Sequence, residues 1–319
     1  NHRNRIMIDF HPITMADREA ICEIVYHSEC RNCDLNFVNL MSWRFYYNTE
    51  VAIHEGWLLF RFKTEGHNAY LAPTGKGDWA KVIRDMIADA TELGHPFLML
   101  GVTEYSLNYM NDALPNYFFA TADRSYTDYI YNREALATLA GKKLQQKRNH
   151  ANKFQKLYPD YEFLPLTPEL IPECLRLREI WQDHKEDEAG RLSPDVEKQS
   201  IEYAFSHWEE LGCQGGIIRI DGKIAAFTYG GPINYDTFDV CVEKADYNYD
   251  GIYAVINRDF VRSLPEQYIH INREEDLGIP GLRRAKESYK PELLLHKFTI
   301  MLKHPLGEQN NTPTIEPNE

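Results

Sequence analysis

The spacing of apolar residues switches repeatedly between the two-residue period of strands and the wider period of helices. The apolar run over 6–10 predicts a strand, and Thr14 with Asp17 in the capping-box position opens a helix bearing Ala20, Ile21, Ile24 and Val25. The aromatic cluster Trp43, Phe45, Tyr46 and Tyr47 reads either as core or as a contact surface. A hairpin turning at Glu55-Gly56, a strand over 69–72, a helix over 78–93 closed by Gly94 and a strand over 97–102 follow. A helix over 105–113 and strands near Phe118 and over 129–131 complete the first half. The second half predicts helices over 170–181 and 196–211, a hairpin over 216–228 turning at Asp221-Gly222, and a strand over 237–242. It ends with a helix over 251–263, a strand over 268–271, a short helix over 282–289 and a strand over 293–301.

The two halves echo each other. Asp9-Phe10-His11-Pro12-Ile13-Thr14 recurs as Glu162-Phe163-Leu164-Pro165-Leu166-Thr167, and Val51 to Gly56 is matched by Ile217 to Gly222. Ile83-Arg84-Asp85-Met86 returns as Asn257-Arg258-Asp259-Phe260, with the order of all matches kept. Ordered repetition predicts a duplicated α+β fold, each copy a mixed, mostly antiparallel sheet flanked by helices. The expected division is 1–158, including a basic helix over 135–157, then 159–304, then a disordered tail over 305–319.

A length of 319 residues, 43% hydrophobic, accommodates two such domains. No run approaches the roughly 18 apolar residues of a membrane span, and Asn1 to Arg5 carry no signal-peptide pattern. A cytoplasmic protein without integral membrane contact is therefore expected. The net charge of −13 argues against broad affinity for DNA. Six scattered cysteines do not make a disulfide framework. Cys22, His27, Cys30 and Cys33 have zinc-ligand chemistry but no second close Cys pair, so reduced thiols and no metal are expected.

Two segments carry candidate chemistry. In an acidic chain, 135–159 holds no Asp and no Glu, but Lys142, Lys143, Lys147, Arg148, Lys153 and Lys156. Wound as one helix, Leu136, Ala140, Leu144, Ala151 and Phe154 share an apolar face, and Lys143 and Lys147 fall inside that arc. Either these lysines face a cleft and meet an anion, or their stems pack while the ammonium groups reach water. In the second segment, Gly278-Ile279-Pro280-Gly281 opens a short basic helix after a strand. Its start, helped by Arg283 and Lys286, would suit an anion. Tyr289 could serve as a general acid or simply pack on the sheet. On the central strand, Asp239 or Glu243 is the candidate general base; for Asp239 a solvent-side strand position is the alternative.

Both segments also carry a family resemblance. Gly141-Lys142-Lys143 followed by Arg148 and Asn152 is similar to a segment of the C-terminal catalytic domain of phosphatidylglycerol lysyltransferases. Gly281-Leu282-Arg283-Arg284, then Lys286, Glu287, Tyr289 and Pro291, resembles the closing motif of that domain. Phe238-Asp239-Val240 followed by Gly251 is similar to its Asp-bearing strand and the glycine opening the next helix. Asn36-Phe37-Val38-Asn39-Leu40 with Trp43 resembles soluble bacterial proteins that share the domain. The order of elements likewise resembles GCN5-related N-acetyltransferases (GNAT) in tandem. The resemblance implies an acyltransferase fold whose relatives move an aminoacyl group from aminoacyl-tRNA to a lipid head group. Two departures stand out: the family's Asp-Leu-Met-Arg reads Asp239-Val240-Cys241-Val242 here, and no membrane-spanning half is present. The glycine pair of acyl-CoA binding is also not evident between Glu243 and Gly251.

The expected function is transfer of an acyl or aminoacyl group from an activated donor, acyl-CoA or aminoacyl-tRNA, to an amine or hydroxyl. Lys143, Lys147, Arg148, Gly281, Arg283 and Lys286 would hold the donor's anionic groups. The alternative is a non-catalytic protein that keeps the fold and binds an anion or tRNA. The transferase reading expects Asp239, Arg283 and Lys286 to converge on one pocket with Lys143 or Lys147. The basic ending appears only in the second copy, which is therefore expected to be the chemical half.

Overall fold

A computed structural model describes residues 7–183 and 194–304 of the chain. The expected tail over 305–319 and the first residue of the predicted strand over 6–10 lie outside these. The described residues form two units that interleave along the chain: 7–24, 44–123 and 296–304 in one, 25–43 and the described part of 124–295 in the other. This differs from a division at 158/159, because the two halves exchange strands. Asp128–Asn132, late in the first half, pairs with His270–Asn272 and Leu293–Leu295 of the second. Phe298–Leu302, at the end of the second half, pairs with Leu98–Val102 and Phe118–Ala122 of the first. The single strand expected over 293–301 is thus two strands serving different sheets. Exchange covers ladder edges that would otherwise stay open.

Each unit has one mixed sheet with a single parallel pairing among the described residues. Those pairings join His67–Leu71 to Leu98–Val102 in the first sheet, and Thr237–Ala245 to His270–Asn272 in the second. The repeat is visible in the topology. His11–Pro12 edges the hairpin of Glu50–His54 and Trp57–Thr64, as Glu162–Pro165 edges the hairpin of Gln214–Ile220 and Lys223–Pro232. Both hairpins turn on two residues of positive φ, Glu55 (50°) with Gly56 (84°) and Asp221 (50°) with Gly222 (78°). That pair of left-handed residues matches the twist of the flanking strands.

In the first unit, helix Trp79–Glu92 is capped by Asp78, whose side chain accepts from the Lys81 amide at 3.0 Å. It buries Val82, Ile83, Met86, Ile87 and Ala90 against Trp57, Leu59, Tyr70 and Met99 of the sheet. In the second unit, helix Ile252–Ser263 packs Val255, Ile256 and Phe260 against Phe238, Ile218 and Ile271. The expected continuous helix over 135–157 is broken. It is Arg133–Thr138, then Leu139 (φ 53°) and Gly141 (φ 86°) in the left-handed region, then Gln145–Leu157. Left-handed residues cannot continue a right-handed helix, so the single helical wheel did not apply across the break. Ala140, assigned to its apolar face, is exposed, whereas Leu139 is buried.

Candidate functional site

The second unit gathers ionisable groups at the end of its central strand. Asp239 lies on Thr237–Ala245 opposite Asn272 of the parallel neighbour, and the chain then runs on to Arg273 and Glu274. Asp239 is 0% exposed, so it is not a solvent-side residue. Two glycines make room around it. The pairing of Lys223–Pro232 with the central strand slips between Tyr229 and Gly230. A Cβ on Gly230 would lie 1.8 Å from the Asp239 carbonyl oxygen, and one on Gly231 would meet Val38 Cγ2 at 2.9 Å and Asn36 Oδ1 at 3.2 Å.

Asn36 therefore sits directly over the strand. Its Oδ1 caps helix Phe37–Ser42 by accepting from the Val38 amide, which aims its Nδ2 at Asp239 Oδ2 at 3.0 Å. Asn39, one turn on, donates to the same oxygen at 3.1 Å and to Glu274 Oε2 at 2.7 Å. The other Asp239 oxygen, Oδ1, is buried with no hydrogen-bond partner among the described residues. Burial and the neighbouring Glu274 charge push the Asp239 carboxyl well above its ordinary range, and burial also raises Glu274. Two such carboxyls cannot both ionise cheaply, so protonation of the pair is favoured.

Beside this pair lies a group of cations. Arg273 is 13% exposed and Glu243 12%; Arg273 Nη2 donates to Glu243 Oε1 at 3.2 Å, while Asn257 Nδ2 donates to Glu243 Oε2 at 3.3 Å. Arg273 Nη1 is buried without a partner among the described residues. The Arg273 guanidinium lies 4.8 Å from the ring centre of Tyr289, and Lys147 Nζ lies 4.6 Å from the same ring. Lys286 donates to the Arg273 carbonyl, and its Nζ is 5.9 Å from the Tyr129 ring centre. Burial, reinforced by the Arg273 charge, lowers the pKa of both Lys147 and Lys286. Tyr289 is 6% exposed, and burial pushes its phenol up to about 12. At neutral pH it is a proton donor and not a base.

The closing motif does a different job from the one its sequence suggested. Arg283 does not join the cations: its Nε donates to Asp276 Oδ2 at 2.8 Å and its Nη2 to Oδ1 at 3.3 Å. Asp276, 0% exposed, also accepts from the Tyr129 hydroxyl at 2.6 Å and the Gly278 amide at 2.8 Å. Burial works against its charge, but the Arg283, Tyr129 and Gly278 bonds together hold its pKa below the usual range. This clamp fixes the turn at Leu277 (φ 55°) and Gly278 (φ 76°), and so places Lys286 one turn later against the sheet. Gly281 is an exposed residue of the first turn of Pro280–Ser288 and touches none of these groups.

In the basic segment only Lys147 reaches the cluster. Lys143 precedes the helix and is exposed, and Arg148 donates to the carbonyls of Leu139 (2.5 Å) and Gly141 (3.0 Å), closing the break between the helices. Thus Asp239, Glu243, Lys147, Lys286 and Tyr289 share one neighbourhood, and Lys143, Arg148, Gly281 and Arg283 stand outside it. The groups unforeseen from sequence are Asn36, Asn39, Arg273 and Glu274. A charged run, Arg273-Glu274-Glu275-Asp276, directly after a strand of the parallel pair was the available signal, since ligand sites favour such strand ends.

Two side-chain triads of this unit have metal-ligand chemistry, Asp239 with Cys241 and Glu274, and Cys33 with Asp128 and Glu275. In each, N–H donors already occupy one carboxyl oxygen: Asn36 and Asn39 on Asp239 Oδ2 in the first, the Cys33 amide (2.8 Å) and Asn272 (2.9 Å) on Asp128 Oδ2 in the second. That environment suits hydrogen-bonded carboxyl groups better than a cation. The third triad, His54, Glu55 and Asp85 of the first unit, is bridged by Lys81 at 2.8 and 3.1 Å.

The fold and sequence have relatives. A conserved protein of unknown function from Bacteroides thetaiotaomicron superposes with a TM-score of 0.89 at 49% identity, over 93% of this chain and 100% of that one. The L-PGS structure from Bacillus licheniformis matches with a TM-score of 0.66 and 16% identity over 95% of this chain and 96% of that one, which shows the shared fold. An uncharacterised protein of Mycoplasmoides gallisepticum is 24% identical over 182 residues, so the match spans 56% of that relative's length. No described helix is long and apolar enough to cross a membrane. The family described as phosphatidylglycerol lysyltransferase, C-terminal, matches residues 27–301. With that match running through the buried carboxyl pair and the clamped closing helix alike, the chain belongs to the phosphatidylglycerol lysyltransferase C-terminal family.

Proposed function

We propose that this protein transfers an aminoacyl group from aminoacyl-tRNA to an amine or hydroxyl acceptor, and does so in the cytoplasm. The observation that carries the reading is the Asp239–Glu274 pair, a buried carboxyl beside a half-buried one, held by the side-chain amides of Asn36 and Asn39. The ionised member of the pair takes the acceptor's proton as the acceptor attacks the ester carbonyl. Lys286 and Arg273 supply positive charge for the oxyanion that forms. Tyr289, protonated at neutral pH, returns a proton to the departing tRNA hydroxyl as the ester C–O bond breaks.

Acyl-CoA is the less favoured donor. In an acyltransferase fold the donor's pyrophosphate would suit the start of a helix. Here the start of Ile252–Ser263 is crowded: Gly251 (φ 85°) leaves only 2.4 Å between a would-be Cβ and the His150 carbonyl oxygen. Binding of tRNA or another anion without transfer is the competing reading, and Val242, where the family pattern has arginine, favours it. Incubating the full chain with labelled aminoacyl-tRNA or acyl-CoA and a panel of amines and glycerol-bearing lipids separates these. Deacylation coupled to a labelled product, lost in Asp239→Asn, supports transfer. Tight tRNA binding with no product in any arm supports the binding reading, and product from acyl-CoA alone overturns the donor.

A further inference from the structure

We propose that Arg273 and Lys147, which both face the Tyr289 ring, together with Lys286, which is bonded to the Arg273 carbonyl, form a receptor for an anionic oxygen group of the substrate, a carboxylate or a phosphate, and that this part of the site rejects a lysyl side chain. The proposal rests on the transferase reading for its mention of substrate, and the anion site itself rests on the geometry.

The cluster has cations and few counter-charges in contact. Among the described residues one carboxylate, Glu243, makes an ion pair with it, through Arg273 Nη2, and Glu243 is shared with Asn257. Lys147 makes no ion pair among the described residues; its ammonium faces the Tyr289 ring at 4.6 Å. Lys286 spends a hydrogen bond on the Arg273 carbonyl and feels Glu274, Glu243 and Asp128 without an ion-pair contact to any of them. Arg273 Nη1 is a buried N–H group with no acceptor among the described residues. A buried donor without an acceptor is costly, and more so when it is charged. The Arg273 charge also repels both Lys147 and Lys286. An arrangement this costly is relieved when an anion enters and accepts from all three.

The lowered pKa values of Lys147 and Lys286, from burial first and Arg273 second, agree with a pocket short of negative charge. The same cations make the pocket hostile to a second ammonium group. A lysyl side chain entering beside Arg273 would add a fourth positive charge to the three already there. An aspartyl or glutamyl group, or a phosphate of donor or acceptor, would neutralise it.

The test is direct binding to the full chain, by calorimetry, of inorganic phosphate, L-aspartate amide, L-glutamate amide and L-lysine amide. At least one anion is expected to bind 10-fold or more tighter than lysine amide. Phosphate ahead of the acidic amides identifies a phosphate as the natural group, and the reverse order identifies an acidic acyl group. Arg273→Gln and Lys147→Gln are each expected to weaken the anion at least 10-fold. Lys147→Glu supplies the missing counter-charge internally, so it should abolish anion binding while keeping or raising the melting temperature. A merely structural Lys147 would instead lower it. Asp239→Asn should bind the anion within about twofold of the parent, so survival of transfer in that variant with intact anion binding sinks only the choice of base. No anion binding, binding indifferent to Arg273 and Lys147, or lysine amide bound as tightly as the anions overturns the proposal.

Discussion

The two units handle buried charge in opposite ways. In the first, Arg61 (14% exposed) sits between two carboxylates, donating to Asp89 at 2.9 Å and to Glu50 at 3.0 Å. Tyr70 adds a hydroxyl to Asp89 at 2.5 Å, so every member has a partner of the right kind. At the candidate site of the second, like is placed with like. Asp239 lies beside Glu274, Arg273 beside Lys147 and Lys286, and atoms of Asp239 and Arg273 are left unpaired. Paired charge limits the cost of burial and has a structural role. Segregated charge shifts proton affinities and leaves donors and acceptors open, which stabilises nothing in the free protein and suits a site that awaits a ligand. The duplication thus produced one scaffold twice and one reactive centre once.

The comparison breaks most decisively at Asp239. Asp239→Asn should lower transfer by roughly 10²–10⁴-fold, measured as product from aminoacyl-tRNA, with no loss of melting temperature because one of two competing carboxyls is gone. The mirror-image change, Arg61→Ala, should cost about 3 kcal/mol in denaturant unfolding, since Glu50 and Asp89 then face each other without their cation. If Asp239→Asn destabilises as much as Arg61→Ala, the contrast between the units fails. A smaller effect is expected from Gly230→Ala, about 1–3 kcal/mol, because the added methyl must displace the Asp239 carbonyl. Its activity loss should exceed what its stability loss explains.

The subtlest effect is in pH dependence. The folded state raises the Asp239 pKa above its unfolded value of about 3.9, so folding favours the protonated form. The stability this group contributes is therefore present at acid pH and is lost as pH rises through the folded value. Asp239→Asn lacks that loss, so its stability advantage over the parent should grow upward from about pH 4. Asp276, whose folded pKa is lowered, has the opposite sign: Asp276→Asn should be equal to the parent in acid and weaker above it. Thermal melts across pH 3 to 8, run side by side, check both slopes.

Much of the fold was legible in the sequence because it is written in local pattern. The hairpin turns at Glu55-Gly56 and Asp221-Gly222, the Asp78-capped helix and the ordered echoes between halves all appear where their residues predict them. Legibility failed where a decision was non-local. Nothing in 293–301 says that Leu293–Leu295 joins one sheet and Phe298–Leu302 the other, because strand partners are chosen by edges elsewhere in the chain. The single helical wheel over 135–157 misplaced Lys143 because a left-handed residue at Leu139 cannot be read from its side chain.

The site divides along the same line. The residues themselves established a duplicated α+β chain of the lysyltransferase family, a basic segment, an acid on the central strand and a Tyr in the closing motif, since composition and spacing are properties of the chain alone. Only the tertiary structure decided their partners. It buried Asp239 under Asn36 and Asn39, more than 200 positions away in one case, and it turned Arg283 into a clamp on Asp276. It also brought Arg273 and Lys147 to the Tyr289 ring and Lys286 to the Arg273 carbonyl. Burial and charge proximity set proton affinity and ligand preference, and both are properties of three-dimensional neighbours that sequence distance does not encode.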